Sequence, residues 1–282
     1  MNQKGKLYIV ATPIGNMDDI TIRAIRVLRE VNTVAAEDTR LTARLLSHHQ
    51  IGTPLISFHE YNESQRIALL VARMESGESL ALVSDAGTPS VSDPGYRLVR
   101  AALEKEIQVV PIPGASAAVT ALCAAGLPTD SFTFLGFPPK RKGKRMNLLE
   151  GLKKEARTLI FYESPMRINA FLSELIDILG DRYAVLGREM TKMYEEFIRG
   201  NLSYILESLE NRAAVKGECT LLISGAEESE SFSPDDLAEE IQKGLDAGIS
   251  ISDLSKSLAK SLGISRKEVY AQALEIQGRK ND

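Results

Sequence analysis

The chain has little of what marks several large protein classes. It holds two cysteines in 282 residues, Cys123 and Cys219, far apart and each inside an apolar run. They read as two buried, reduced thiols, and no Cys/His spacing fits zinc or another metal. Histidine is equally sparse: His48 and His49 are adjacent, so they point apart on a helix, and only His59 remains. No apolar run approaches the length of a membrane span. The apolar stretch in MNQKGKLYIVATPIG meets Pro13 too soon for a secretory leader, so the expected location is the cytoplasm, with no membrane partner. An excess of positive charge is missing too. The net charge of −4 argues against a protein that coats nucleic acid without specificity, which needs clustered Lys and Arg, but leaves room for a local basic face. Neither G-x-G-x-x-G nor a Walker A sequence occurs, so NAD and ATP are not favoured.

What is present is a regular alternation. LYIVAT (7–12), TVAAED (33–38), PLISFH (54–59), SLALVSD (79–85) and IQVVPI (107–112) read as strands, with helical spacing between them at 18–31, 41–49, 63–77 and 96–106. Such alternation implies crossover connections and a mostly parallel sheet. The small-residue stretch PIPGASAAVTALCAAGLPTD (111–130) marks a boundary near 112–117. A second alternating region follows, with strands at 131–137, 157–164, 182–190, 195–200 and 218–225 and helices around 144–156, 165–180 and 202–211. EEFIRG lies too close to its neighbours for full crossovers, so this second sheet should be partly antiparallel. EESESFSP reads as a linker. The remainder is helical, and ISDLSKSLAKSLGISRKEVYAQALEI has helix-turn-helix spacing about Gly263-Ile264-Ser265. From 253 to 280 it carries six basic residues against three acids. The expected architecture is α/β: two α/β domains, 1–113 and 114–226, a linker over 227–234, and a helical extension over 235–282.

In open α/β sheets, ligands bind beyond the carboxyl ends of the strands. Here those ends are ATPIGNMDD, AEDTR, SFHEYNE, SDAGTPSVSDPG and PIPGASA. Gly87 and Gly95 permit close backbone approach, and Pro89 and Pro94 stiffen the fourth loop. Asp85 sits at the strand end, where a carboxylate can face a cationic or hydroxylated ligand. Asp93 reads as the cap of the helix that follows. Gly114 and Ser116 lie where a helix starts, and its N–H groups suit a carboxylate. A ligand with a carboxylate at one end and a positive centre in the middle fits both loops.

Taken together, LYIVATPIGN, AEDTR, SFHEYNE, SDAGTPSVSDPG, PIPGASA and FYESPMRI resemble the tetrapyrrole methylase fold family. More narrowly, they resemble its branch that methylates a cytidine 2′-hydroxyl in the decoding region of 16S ribosomal RNA. The resemblance covers residues 6 to about 226, and the helical extension suits the same branch. It implies two α/β domains with S-adenosyl-L-methionine in the cleft between them, a homodimer, and the small ribosomal subunit as partner. Carried over residue by residue, the cofactor loops fall on Pro13, on Asp85, Ala86, Gly87 and Val91, on Pro113, Gly114, Ser116 and Ala117, and on Tyr162. They also fall near Ile198 and on Cys219-Thr220, where contact at Cys219 is through backbone. Methylases of porphyrin-type substrates usually carry Gly-Asp-Pro where this chain has Ser84-Asp85-Ala86, a departure that fits the ribosomal branch.

A ribose hydroxyl is a weak nucleophile, so some group must accept its proton. The candidates are Glu37, Asp38, His59, Glu60, Glu163, Glu189 and Lys192, with Glu60, His59 and Glu163 ranked first as catalytic. For RNA phosphates, Arg40, Arg167, Arg188 and Lys192 are candidates, though each reads equally as a helix-end charge or ion-pair partner. KRKGKR puts Lys140, Arg141, Lys142, Lys144 and Arg145 in a loop that overhangs the cleft, and Arg266 and Lys267 give the extension a basic edge. Tyr61 and Tyr162 suit stacking on a base, with core packing the plainer role for Tyr61. Two competing functions remain: a methylase of a tetrapyrrole precursor, for which the basic run and extension have no use, and a non-catalytic RNA-binding assembly factor on the same fold.

Overall fold

The structure is a computed structural model. It describes residues 3–226, 234–262 and 265–279, the side chains at 234, 235, 260, 261, 278 and 279 excepted. The chain divides into two compact units, 1–226 and 227–282.

The first unit opens with a five-stranded parallel sheet: β1 (Lys6–Val10), β2 (Thr33–Ala36), β3 (Leu55–Ser57), β4 (Leu80–Val83) and β5 (Gln108–Ile112), in the order β3-β2-β4-β1-β5. Strands β2 and β4 are buried along their whole length, as near-continuous apolar runs in a parallel sheet must be. Alternate side chains serve opposite faces. Val34 and Ala36 pack with Val27 and Leu28 of α1 (Ile22–Glu30) and Leu45 and Leu46 of α2 (Thr39–His48). Ala35 packs with Leu70 and Met74 of α3 (Glu63–Glu75) and Leu98 and Ala102 of α4 (Tyr96–Glu104). Helix starts follow local chemistry: the Thr21 hydroxyl accepts the Ala24 N–H, and the Asp38 carboxylate accepts the Arg40 N–H, which satisfies donors no helix can satisfy internally.

The connections leaving the neighbours β1 and β4 run to opposite faces, α1 on one and α4 on the other. Such a switch point opens a crevice at the strand ends. The two roots of this crevice are tied together. Thr12 and Gly87 exchange backbone hydrogen bonds of 2.8 and 3.1 Å, and the Thr12 hydroxyl donates to the Ser84 carbonyl at 3.1 Å. Gly87 has φ +79°, where a side chain is strained.

After α5 (Ala117–Ala125) comes a second sheet: β6 (Phe132–Gly136), β7 (Thr158–Glu163), β8 (Tyr183–Arg188), β9 (Glu196–Asn201) and β10 (Cys219–Ile223), ordered β6-β7-β10-β8-β9. Only β6 and β7 run parallel, and the other pairings are antiparallel, as the short connections around EEFIRG require. One face carries α6 (Lys142–Gly151), α7 (Ile168–Leu179) and α8 (Leu202–Glu210) over a core that includes Phe161 and Phe171. The other face takes α5, whose Ala118, Ala121 and Ala125 allow it close to Ile160, Val185 and Leu222. Ile14, just beyond β1, joins that cluster, so the first sheet's opening loop packs on the second sheet.

Three expectations need correction. Cys123 is exposed, not buried: it faces outward on α5, whose inner face is taken by its alanines. Asp93 does not cap α4. The cap position is Gly95 with φ +136° and no side-chain hydrogen bond, and the Asp93 carboxyl lies beside the Ser84 side chain instead. KRKGKR is not a loop, because α6 begins at Lys142.

The second unit has α9 (Pro234–Asp246), α10 (Ile251–Leu262) and α11 (Arg266–Arg279) around Leu237, Ile241, Leu254, Val269 and Ala273. Ser250 caps α10: its hydroxyl oxygen accepts the Asp253 N–H at 3.2 Å and the hydroxyl donates to the Asp253 carboxylate at 2.7 Å. The acidic linker at 227–233, the turn residues Gly263-Ile264 and Lys280 lie outside the described residues.

Candidate active site

A cavity of about 420 Å³ lies between the loops of the two sheets. From the first sheet come Ile14, Glu37, Asp85 to Thr88, and Val91 to Asp93; from the second come Phe137, Tyr162 to Pro165, and Gly217 to Thr220. Ser116 and Ala117 bring the first turn of α5 to the wall between them. Of the residues expected at the cofactor, Asp85, Ala86, Gly87, Val91, Ser116, Ala117, Tyr162, Cys219 and Thr220 therefore line one cavity. Pro13 lines an adjoining one of about 240 Å³, which shares Ile14, Asp85, Ala86 and Glu218. Pro113 and Gly114 lie outside both; Gly114 instead sits where a Cβ would come within 2.9 Å of the Ala11 Cβ. Ile198 points into the core beneath the second sheet.

Electrostatics divide the wall. Glu37, at the end of β2, is pushed up to about 7, first by burial and then by the nearby carboxylates of Asp93 and Asp85. Asp93 is pushed up to about 6, first by burial, against the lowering effect of its Ser84 hydrogen bond. Asp85 accepts the Asp38 N–H at 2.8 Å. Asp38 is held down to about 2 by Arg40, whose Nε and Nη2 lie 3.1 and 2.7 Å from its oxygens. Among the described residues, no ion pair with Lys or Arg neutralises Glu37, Asp85 or Asp93, whereas Asp38 has Arg40. A cationic ligand suits such a wall. The loop also carries strain: Ser90 and Ser92 have φ of 70° and 66°, a conformation that residues with a Cβ rarely hold without cause.

Glu37 has a measurable cost. Its folded-state value lies above the ordinary 4.5, so the penalty is absent below pH 4.5 and grows as pH rises through 7. The site is half-exposed, so screening trims this to roughly 1–2 kcal/mol by pH 8. Glu37→Gln should therefore be more stable than the parent at pH 8 and no more stable at pH 4.5. Denaturant titrations at both values check it, and an equal gain at both would refute the electrostatic origin.

The part of the wall that comes from the second sheet is quieter. The Tyr162 hydroxyl accepts the Ala118 N–H at 3.1 Å, and its ring meets Phe134 and Phe137 edge-on at 5.0 and 5.6 Å. Burial pushes the Cys219 thiol up to about 11, which leaves it protonated and unreactive. Glu163 is buried, and its Oε1 accepts from Arg167 at 2.6 Å and from the Ser164 N–H at 2.6 Å. His59 and Glu60 line neither cavity; the His59 ring faces the Asn62 side chain at 3.2 Å. Lys192 lines the smaller cavity while paired with Glu189 and Glu218 at 2.8 and 3.1 Å. Arg44, which sequence reasoning passed over, lines the same cavity; its only signal was its place one turn after Arg40 on α2.

The other cationic candidates divide by partner. Lys140, Arg141, Lys142 and Lys144 are exposed, while Arg145 is committed to Glu174 at 2.6 Å and to the Pro139 and Lys140 carbonyls. In the second unit Arg266 and Lys267 are exposed, with Arg266 donating to the Ser252 hydroxyl at 3.3 Å.

Two facing sheets of this topology with a cavity between their loops define a class. Residues 6–206 match the model of the tetrapyrrole (corrin/porphyrin) methylases, and the chain belongs to that family. Within it, the chain is 45% identical to a ribosomal RNA small subunit methyltransferase I of Halalkalibacterium halodurans, over 95% of this chain and 94% of that one. It is 44% identical to the protein of the same description from Escherichia coli O157:H7, over 98% and 97%. A uroporphyrin-III C-methyltransferase from Thermus thermophilus, solved with S-adenyl homocysteine, shares the fold at a TM-score of 0.54 and 18% identity, over 77% of this chain and 97% of that one. The chain is thus a methyltransferase that uses S-adenosyl-L-methionine. Among the described residues no helix is long and apolar enough to cross a membrane.

Proposed function

We propose that the protein methylates the ribose 2′-hydroxyl of a cytidine in the decoding region of 16S ribosomal RNA, within the small ribosomal subunit. The observation that carries this reading is the unneutralised acidic wall of the larger cavity, set in a chain that aligns along nearly its whole length with ribosomal RNA methyltransferases. The donor set fits S-adenosylmethionine: acids for its positive centre, the first turn of α5 at Ser116 and Ala117 for its carboxylate, and the Tyr162–Phe137 surface for its adenine. When bound, it supplies a methyl group on a sulfonium, an acceptor-ready carbon with a neutral leaving group. The protein's task is then alignment and water exclusion. Asp85, fixed by the Asp38 N–H, and Gly87, fixed by Thr12, hold one side of the cavity in register; the packing of Ile14 on α5 holds the other.

The RNA side rests on charge. Lys142 and Lys144 occupy the first turn of α6, whose cap position, Arg141, makes no side-chain hydrogen bond. Cations there oppose the helix dipole, at about 0.3–1 kcal/mol each. A local rule broken at an exposed site points to function. The double variant Lys142→Ala/Lys144→Ala should therefore melt slightly higher than the parent, yet show a raised KM for ribosomal substrate with kcat unchanged and a shallower salt dependence. An unchanged KM would leave the run as surface charge alone.

The deciding experiment supplies methyl-labelled S-adenosylmethionine and three acceptors: small subunits lacking the modification, deproteinised 16S RNA, and a uroporphyrinogen-type tetrapyrrole. We expect label in the subunits, on ribose rather than base after nuclease digestion, and less in free RNA. Label in the tetrapyrrole alone would overturn the substrate, and cofactor binding without transfer to any acceptor would favour an assembly factor. On the family resemblance, residues 1–113 and 114–226 act as two domains, and the protein works in the cytoplasm as a homodimer, which a monomeric sedimentation coefficient would refute.

A further inference from the structure

Glu37, Asp85 and Asp93 come from the end of β2, the end of β4 and the loop beyond it, and meet on one wall of the larger cavity. One hydrogen bond ties the strand ends that carry them, the Asp38 N–H donating to Asp85 at 2.8 Å, and the Asp85 backbone lies beside the Glu37 carboxyl. The charged groups that face Glu37 are Asp38, Asp85 and Asp93, all of one sign. Elsewhere on the wall, Glu163 is tied to Arg167 and Glu218 to Lys192, Tyr162 lies near Asp93, and Arg40 is spent on Asp38. Among the described residues no lysine or arginine forms an ion pair with any of the three; Arg40, paired with Asp38, acts on Asp85 only through space. Carboxyls buried beside other carboxylates resist ionising. Accordingly Glu37 is raised to about 7 and Asp93 to about 6, burial being the larger cause in each.

We propose that Glu37 and Asp93 hold a proton keyed to the charge of the methyl donor: they give it up when a sulfonium sits beside them and take one back when the neutral thioether is left. The proposal rests on the reading of this cavity as the S-adenosylmethionine site. It also closes the proton count of the reaction. The carbon–sulfur bond breaks with its pair on sulfur, the carbon–oxygen bond forms from an oxygen pair of the hydroxyl, and the hydroxyl proton is left over. At that moment the positive charge beside the wall disappears, and Glu37 again favours its acid form. The wall therefore accepts a proton in the step that releases one, and it distinguishes donor from product by charge alone.

Binding calorimetry on the full chain tests this without turnover. S-adenosylmethionine and S-adenosylhomocysteine are titrated at pH 6.5 in two buffers of different ionisation enthalpy, which reports protons exchanged. We expect the donor to release about one proton per site and the product much less. Between pH 5.5 and 7 the donor's affinity should rise about tenfold while the product's stays within about threefold. Glu37→Gln should still bind the donor but release less than half as much, and Asp93→Asn should show the same trend if Glu37→Gln does not fold. Equal proton release by both ligands, or unchanged release in Glu37→Gln, overturns the proposal while leaving the cavity as the cofactor site. Binding of neither ligand to the parent protein overturns the site assignment itself.

Discussion

Asp85→Ala should abolish measurable binding of S-adenosylmethionine. The carboxylate does two jobs: it accepts the Asp38 N–H at 2.8 Å and so ties the end of β2 to the end of β4, and it presents negative charge to the cavity. A hydrogen bond to a charged group contributes about 1.5–3 kcal/mol, and loss of the loop register adds to that, so affinity should fall by about a hundredfold or more. Asp85→Asn separates the two jobs, since an amide oxygen still accepts the N–H but carries no charge; a loss of about tenfold is expected. The same change removes a like charge that raises Glu37 and Asp93, so both should shift down. Calorimetry showing unchanged affinity for Asp85→Ala would take Asp85 out of the site.

Arg167→Met should be the most destabilising single change near the cavity. It strands the Glu163 carboxylate, which is only 3% exposed, with one N–H partner. Breaking a buried pair costs about 3–5 kcal/mol. The Arg167 side chain is 36% exposed, so screening trims the cost below that range, to about 2–3 kcal/mol, and the melting temperature should fall by roughly 5–10 °C. Glu163→Gln/Arg167→Met should recover most of the loss, because the double change leaves no unpaired charge. A cycle showing no coupling would mean that Glu163 finds another partner. The double variant also addresses chemistry. If it still transfers methyl groups at the parent rate, Glu163 is a structural residue and not the proton acceptor.

The sequence disclosed the sheets and most of one wall of the site, and concealed what depends on proximity. Polar, glycine-rich ends on successive strands are local signals, and Asp85, Gly87 and Ser116 were legible from them. Glu37 stood in AEDTR among several possible acids. Its ranking above Glu60 depends on burial and on two carboxylates 48 and 56 residues away in sequence, which no local pattern carries. Asp93 followed by Pro94 imitates a helix cap, and only the +136° φ at Gly95 moves the helix start beyond its reach. KRKGKR has no apolar periodicity before Met146, so it read as loop; its helix is imposed by Leu149 packing into the second core. Ile198 belongs to a motif whose backbone lies near the second sheet's edge, while its side chain serves packing.

The placement of the two thiols makes the protein convenient for spectroscopy. Cys123 faces outward from α5, and Cys219 is both enclosed and held protonated. A maleimide dye at neutral pH should therefore attach once per folded chain, at Cys123, and a second time only after unfolding. The native sequence thus already has the single attachment point that fluorescence anisotropy needs to follow docking on a ribosomal subunit.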